Sequence, residues 1–218
     1  GHTIFHQPDK GYTLQVGDGY EIQKITNCTV VSDFRTQDVL LGGQGTPLVP
    51  IGDKFLFSEY DACVNLGGFA NISYTLNNLR IAFDICPVNI VMNHYCKRLG
   101  LEYDDKGNIA SKGTIHERLL QDLNNLKFYT IKPPKSLGIE WVQKHIFLLV
   151  DKYQLNPKNI LRTYIEHSAH QISKSIKPFE NILLTGGGVY NDFLIERIED
   201  MSKKNITLPS DSIINYKE

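Results

Sequence analysis

Residues Ala62–Asn89, ACVNLGGFANISYTLNNLRIAFDICPVN, contain the pattern that decides the fold of this chain. Three runs of apolar and β-prone residues predict three short strands, Cys63–Leu66, Phe69–Leu76 and Leu79–Phe83. Gly67–Gly68 and Asn77–Asn78 separate these runs and are typical of tight turns. The stretch therefore predicts three strands that are joined by two turns.

The third of these runs ends on a carboxylate, Asp84, and Pro87 lies close to the start of a helix predicted over Val88–Leu99. An aspartate at the end of a buried strand can act as a fixed base, and a Gly-Gly turn can present N–H groups to an anion. The same residues also fit a plain hairpin turn and a helix N-cap. The pattern thus indicates either phosphate handling beside proton abstraction or a purely structural turn.

The composition is that of an ordinary globular protein. The 218 residues, 41% hydrophobic and 22% charged, suit one large domain or one and a half smaller ones. A net charge of −1 gives no electrostatic basis for binding nucleic acid, and no apolar run approaches the length of a membrane span. Four cysteines at unrelated spacings, three of them in apolar runs, predict buried free thiols: Cys28, Cys63, Cys86 and Cys96. We therefore expect a cytoplasmic protein with no membrane or nucleic-acid partner.

The first part of the chain has the alternation of strands and helices that is typical of α/β proteins. The predicted elements are strands over Thr3–His6 and Tyr12–Val16, a helix over Tyr20–Thr26 and a strand over Cys28–Ser32. Asp33 and Arg35 follow that last strand, where α/β folds place groups that contact ligands, and Asp38 lies close behind. Sugar binding and helix capping or pairing with arginine are equally good interpretations of the two carboxylates.

The last part of the chain contains a second glycine-rich strand end. Asn181–Thr185 predicts a buried strand that runs into Gly186, Gly187 and Gly188, and Asn191 opens a helix predicted over Phe193–Met201. Such a loop presents backbone N–H groups to a nucleotide or phosphate, although it matches neither a Walker-A nor a Rossmann pattern. Two glycine-rich strand ends and a strand-terminal aspartate together indicate an ATP-using enzyme of another design.

Three further helices are predicted, over Ile115–Leu126, Trp141–Tyr153 and Ile160–Ile176. His167 and His170 lie one turn apart on the last of them and are a possible metal pair. Because no third ligand lies nearby in the sequence, a half-exposed helix face is the better interpretation.

The motifs resemble those of the anhydro-N-acetylmuramic acid kinase family. The resemblance rests on GHTIFHQP, TLQVGDG, VVSDFRTQDVLLGGQGTPLVP, VNLGGFANIS, FDICPVN, PPKSLGIEW and LLTGGGVYN, which occur in the right order from Gly1 to Glu218. It implies a ribonuclease-H-like, two-lobed α/β fold of the sugar kinase, Hsp70 and actin superfamily. Residues 1–58 would then be the incomplete, sugar-facing first lobe, and residues 59–218 the second lobe.

The resemblance also implies an activity: an enzyme that opens the 1,6-anhydro bridge of anhydro-N-acetylmuramic acid with water and phosphorylates O6 from Mg-ATP. Asp84 matches the family's catalytic aspartate, which activates that water. Residues expected near the ATP phosphates are Gly67, Gly68 and Asn71, and those expected near the nucleoside are Gly186, Gly187, Gly188 and Asn191. Residues expected to face the sugar are His2, Asp18, Asp33, Arg35, Asp38 and Asn89. Glu218 aligns with an acidic residue expected to help hold Mg²⁺, and family members are often homodimers.

The sequence departs from the family pattern in two respects. The common DTGPGN motif reads DICPVN here, so that Ile85, Cys86 and Val88 replace Thr, Gly and Gly. No GTSxDG-like phosphate loop precedes Gly1, and we therefore expect the chain to be a fragment. The alternatives to the kinase are a catalytically silent remnant that binds a cell-wall sugar or a protein, and a related kinase for another sugar.

Overall fold

A computed structural model describes residues 2–46 and 48–216, with His2 and Tyr216 described through their backbone alone. The chain divides into two compact units, Gly1–Leu48 and Val49–Glu218. The boundary between a first lobe over residues 1–58 and a second lobe over residues 59–218 stays a prediction.

In the first unit, β1 (His2–Gln7) pairs antiparallel with β2 (Tyr12–Val16), and both predicted strands are confirmed. Two helices follow, α1 (Gly19–Thr26) and α2 (Phe34–Leu40), and the first of these was predicted. The strand predicted over residues 28–32 is wrong. Asn27 ends α1 in the left-handed conformation, and the described sheet of this unit consists of β1 and β2 alone, so residues 28–32 have no strand to pair with.

The second unit is built on a five-stranded sheet whose spatial order is β5-β4-β3-β6-β7. Its strands are β3 (Ala62–Leu66), β4 (Phe69–Leu76), β5 (Leu79–Pro87), β6 (Asn181–Thr185) and β7 (Asn205–Thr207). The first three strands form an antiparallel meander, whereas β6 runs parallel to β3 and β7 parallel to β6. This order and these directions are those of a ribonuclease-H-like sheet, so the predicted α/β fold class is confirmed.

Four helices of the second unit, over residues 89–97, 117–124, 157–176 and 192–202, agree with the prediction except at their ends, whereas those over residues 50–56 and 211–216 were not predicted. Together they are α3 (Pro50–Leu56), α4 (Asn89–Lys97), α5 (Glu117–Asn124), α8 (Pro157–Ile176), α9 (Asp192–Ser202) and α10 (Asp211–Tyr216). The helix predicted over residues 141–153 has three segments, namely α6 (Ile139–Trp141), a π-helix (Val142–Phe147) and α7 (Leu148–Asp151). No helix in the described part of the chain is both long and apolar enough to cross a membrane.

The long helix α8 forms much of the core, and it contacts α4, α5, α9 and β5. Its His167 is fully buried: Nδ1 lies 2.7 Å from Asn124 Oδ1, and Nε2 lies 2.9 Å from the Tyr129 hydroxyl. Burial is the main cause that lowers the pKa of His167 to about 3, and the charge of His170 adds to it. The two histidines therefore share no exposed face, since His170 alone is exposed, and the described residues contain no cluster of three His, Cys, Asp or Glu side chains suited to a metal.

None of the four cysteines forms a disulfide; Cys63, Cys86 and Cys96 are buried as predicted, whereas Cys28 is exposed. Burial is the main cause that raises the pKa of Cys96 to about 11. The buried thiols therefore behave as small apolar side chains of the core.

Candidate active site

Asp84 lies within a strand and not at its end. The predicted strand stopped at Phe83, whereas β5 continues to Pro87 because Cys86 still pairs with Ala70 of β4. This corrects the prediction of a strand-terminal carboxylate. Asp84 is instead flanked on both sides by residues of β5.

A β-bulge decides which way Asp84 faces. Asp84 lies opposite Asn71, and Cys86 lies opposite Ala70, so Ile85 is an extra residue between two consecutive pairs. Consecutive residues of β4 point to opposite faces, and Asp84 and Cys86 therefore do so as well. Cys86 is fully buried in the apolar core, where burial raises the pKa of its thiol. The bulge thus turns the carboxylate away from the face that Cys86 occupies.

The Asp84 carboxylate is held by the proline-rich segment that follows Thr130. Asp84 is 4% exposed, and its Oδ2 accepts a hydrogen bond of 2.7 Å from the Leu137 N–H. The Asp84 N–H donates to the Lys135 carbonyl at 3.1 Å. Lys135 Nζ donates to the Phe128 carbonyl at 3.2 Å, and burial, followed by the charge of Lys174, lowers the pKa of Lys135. A buried carboxylate therefore has a fixed orientation and a cationic neighbour.

Asp84 belongs to a row of polar residues that crosses four strands. Asp84 pairs with Asn71, Asn71 with Asn65, and Asn65 with Thr185, on β5, β4, β3 and β6 in turn. Residues directly opposite one another project from the same face of a sheet. The row therefore places a carboxylate, two amides and a hydroxyl on one face of the sheet, close to both glycine turns.

The first glycine turn joins β3 to β4 and contacts the start of α4. The Gly68 carbonyl accepts hydrogen bonds from the N–H groups of Val88 at 2.8 Å and Ile90 at 3.3 Å, and the Gly67 carbonyl accepts from Asn89 at 3.3 Å. A Cβ atom added to Gly67 or Gly68 would meet no other residue closer than 3.6 Å, and neither glycine has a positive φ. The fold itself therefore does not require glycine at this turn.

The second glycine turn, residues 186–188, packs on the end of β3. A Cβ atom on Gly186, whose φ is +83°, would collide with Asn65 Oδ1 and lie 2.9 Å from the Leu66 carbonyl oxygen. A Cβ atom on Gly188 would lie 2.7 Å from the same oxygen, whereas one on Gly187 would meet no atom within 4 Å. Two of these glycines are therefore needed for packing, and the middle one faces open space.

Gly187 and Gly188 line a pocket of about 530 Å³, a size that suits a nucleoside. The other lining residues are Asn89, Met92, Asn93, Tyr103, Asp104, Asp105, Lys106, Tyr190, Asn191 and Asp192. Asn191 opens α9 as predicted, with its Oδ1 accepting the Leu194 N–H at 3.0 Å. The pocket thus joins the predicted nucleoside loop to Asn89, which the sequence had assigned to the sugar.

Residues 103–106 of the pocket were missed, because the sequence there predicts only a polar turn. The buried Asp104 carboxylate accepts N–H groups from Ile109 at 2.8 Å and Ala110 at 2.9 Å. Gly107, with φ +74°, packs against Asn191 and closes this loop over the start of α9. The Asp-Asp-Lys-Gly run was the available signal, since Asp and Gly stabilise such turns.

The first unit contains the remaining predicted sugar-facing residues. Asp18 caps α1 by accepting the Tyr20 N–H at 2.8 Å, and Asp38 Oδ2 accepts the Gly45 N–H at 2.6 Å. Asp33 precedes α2 with a φ of +65°, and so it follows an irregular segment instead of the predicted strand. Arg35 lies in α2 and His2 in β1, while Glu218 lies outside the described residues. The assignment of these residues to a sugar or to Mg²⁺ stays a prediction.

The order and directions of the strands define an α/β protein of the ribonuclease-H-like class, with two glycine turns and a buried aspartate on its sheet. Comparison with known proteins makes this specific. The chain belongs to the anhydro-N-acetylmuramic acid kinase family, whose model matches residues 1–214.

Curated relatives agree with this assignment. Three proteins named anhydro-N-acetylmuramic acid kinase are similar to the chain. The relative from Zymomonas mobilis is 36% identical and the match covers 99% of this chain, and those from Bacillus cereus and Pseudomonas savastanoi are 37% and 35% identical over 92% of it. Among solved structures, the activator of the 2-hydroxyisocaproyl-CoA dehydratase from Clostridium difficile gives a TM-score of 0.45 at 14% identity, over 74% of this chain and 58% of that one. The chain spans 57% to 60% of the length of these three relatives.

Proposed function

We propose that this chain acts in an ATP-dependent kinase that converts anhydro-N-acetylmuramic acid to N-acetylmuramic acid 6-phosphate, a step in peptidoglycan recycling. The observation that carries the proposal is the buried Asp84 carboxylate, held by the Leu137 N–H at 2.7 Å and in register with Asn71. A fixed, buried carboxylate close to a phosphate site is the arrangement that general-base catalysis requires. The three relatives named anhydro-N-acetylmuramic acid kinase supply the substrate.

In the proposed reaction, Asp84 takes a proton from water while the water oxygen forms a bond to the anomeric carbon. The bond between that carbon and O6 breaks, and O6 attacks the γ-phosphorus of ATP. ADP leaves, and Asp84 then releases its proton to solvent. The Leu137 N–H holds the carboxylate of Asp84 in one orientation during this step.

ATP would lie with its nucleoside in the pocket beside Gly187 and its phosphates toward Gly67 and Gly68. Mg²⁺ prefers oxygen ligands, and the amide oxygen of Asn71 on this sheet face would fit a water of the ion, with Glu218 as the predicted ligand. When bound, the ion neutralises charge on the phosphates. We place the enzyme in the cytoplasm, where ATP is available, and a homodimer stays a prediction.

The test is sugar-dependent release of ADP from Mg-ATP, measured on this chain and on the longest reading frame that contains it. Asp84→Asn keeps an acceptor for the Leu137 N–H but cannot take a proton, so we expect the rate to fall by roughly 10²–10⁴ while nucleotide affinity is retained. Asp9→Asn, which removes an exposed carboxylate, is the matched control and should retain full activity. A wild-type protein without sugar-dependent ADP release would overturn the function, and a near-normal rate for Asp84→Asn would remove Asp84 as the base.

A further inference from the structure

The segment that holds Asp84 has no regular secondary structure. Residues 131–138 form neither helix nor strand, and the two prolines among them have no N–H group to donate. The segment nevertheless supplies the Lys135 carbonyl, which accepts the Asp84 N–H at 3.1 Å, and the Leu137 N–H, which donates to Asp84 Oδ2 at 2.7 Å. The orientation of the Asp84 carboxylate therefore depends on what holds this segment in place.

The ammonium group of Lys135 lies close to two aromatic rings. Its Nζ is 4.4 Å from the centroid of the Phe128 ring and 5.7 Å from that of the Phe83 ring, and it donates to the Phe128 carbonyl at 3.2 Å. Phe83 directly precedes Asp84 on β5, and Phe128 is buried. A cation within about 6 Å of an aromatic ring centroid is attracted to the face of the ring. The Lys135 side chain therefore connects the segment both to a buried ring and to the strand that carries the base.

The position is an unfavourable one for a charge. Lys135 is half-buried, and burial, followed by the charge of Lys174 on α8, lowers the pKa of its amine. The groups that face the amine from β5, Cys86 and Asp84, act in the opposite direction. An apolar side chain of similar length would fill the same space without the cost of removing a charge from water. Core packing alone therefore does not explain a lysine here.

We propose that Lys135 is a positioning residue for the catalytic base. Its ammonium group fixes the backbone of residues 135–137 against Phe128, and that backbone orients the Asp84 carboxylate through the two hydrogen bonds. The inference rests on the proposed role of Asp84 and adds to it the residue that keeps this carboxylate in its orientation. Because Lys135 acts through Asp84, its loss should slow the chemical step and leave substrate binding unchanged.

The first test measures kcat and KM for sugar-dependent ADP release, on the longest reading frame that contains this chain. Lys135→Met keeps the length of the side chain and removes its charge, so we expect kcat to fall about tenfold, with KM for ATP and for the sugar within about twofold of wild type. Lys135→Arg keeps a cation beside the rings and should restore kcat to within about threefold of wild type. Lys132→Met is the matched control, since Lys132 is an exposed lysine of the same segment, and it should retain full activity.

The second test measures backbone amide hydrogen exchange and does not depend on activity. In the 218-residue chain, Lys135→Met should speed exchange at the N–H groups of Asp84 and Leu137 by at least about tenfold, because the segment opens from β5 more often. Exchange at the Val64 N–H, in the fully buried strand β3, reports on global stability and should stay unchanged. Lys132→Met should change none of these rates. If Lys135→Met does not fold, Lys135→Gln, which is also neutral, replaces it in both tests.

A wild-type kcat in Lys135→Met, or unchanged exchange at Asp84 and Leu137, would overturn the inference alone. Equal losses of kcat in Lys135→Met and Lys135→Arg, with faster exchange at Val64 as well, would make Lys135 a purely structural residue. A wild-type protein without sugar-dependent ADP release would overturn the proposed function and, with it, the role of Lys135 in catalysis.

Discussion

The two glycine turns lie at the ends of neighbouring parallel strands, β3 and β6, yet they differ in what the fold demands of them. At the second turn, Gly186 and Gly188 are pressed against Asn65 and Leu66, and a side chain at either position has no space. At the first turn, a Cβ atom would make ordinary contacts. Glycine at the second turn is thus explained largely by packing, whereas at the first turn packing does not require it, which supports the proposed approach of a ligand to the backbone there.

The largest expected effect is on stability at the second turn. Gly186→Ala puts a side chain into the left-handed region, which costs about 1–2 kcal/mol, and overpacks the site against Leu66, which costs about 1–3 kcal/mol. We therefore expect the free energy of unfolding, measured in urea, to fall by about 3 kcal/mol. Gly187→Ala at the neighbouring open position is the control and should change it by less than about 0.5 kcal/mol. Equal effects at the two positions would contradict the packing argument.

The next prediction separates an effect on ligand binding from an effect on stability within the second turn. Gly187→Val adds a side chain in open space that lines the pocket, so the free energy of unfolding should change by less than about 1 kcal/mol. The Kd for ADP, measured by calorimetry, should rise by at least about tenfold because the pocket is partly filled. Gly52→Val is the matched control, since Gly52 also faces open space but lies in α3 outside the pocket. An unaltered Kd for ADP in Gly187→Val would place the nucleotide elsewhere.

The smallest effect is expected at the first turn. Gly68→Ala should leave the free energy of unfolding unchanged or raise it by about 0.4–1 kcal/mol, because alanine restricts the unfolded chain. The Kd for ATP should rise about threefold to tenfold, a loss of roughly 0.7–1.4 kcal/mol, while the Kd for adenosine stays constant. If Gly68→Ala instead destabilises the protein by more than about 1 kcal/mol, packing requires glycine at both turns, and the proposed difference between them is wrong.

The sequence predicts most of the fold because its signals are local. The meander around Gly67 and the strand before Gly186 follow from alternation and turn residues that lie within a few positions of each other. The strand predicted over residues 28–32 failed because a β-prone run becomes a strand only when a partner strand is available, and none of the described strands pairs with it.

The candidate site is harder to predict from local sequence signals. The direction of Asp84 depends on the single extra residue Ile85, and no local pattern marks a bulge. Residues 103–106 join Gly187 in one pocket only through the tertiary fold. In the sequence Asn65 is an ordinary strand residue, and only the structure shows that its buried Oδ1 accepts no hydrogen bond from the described residues.

The departures from the family motif are explained by burial. Ile85, Cys86 and Val88 are all buried in the apolar core around β5 and α4. Apolar side chains at these positions add buried surface, which stabilises the fold. The departures expected from the resemblance therefore fall at positions that face the core.

The hydrogen bonds from Val88, Asn89 and Ile90 to the carbonyls of the first glycine turn have a mechanical consequence. These hydrogen bonds connect the turn to the start of α4. Because α4 begins a few residues after Asp84, the turn, the helix start and the end of β5 form one connected unit. In the proposed nucleotide complex, a displacement of this turn would therefore also displace the start of α4 and the adjoining end of β5.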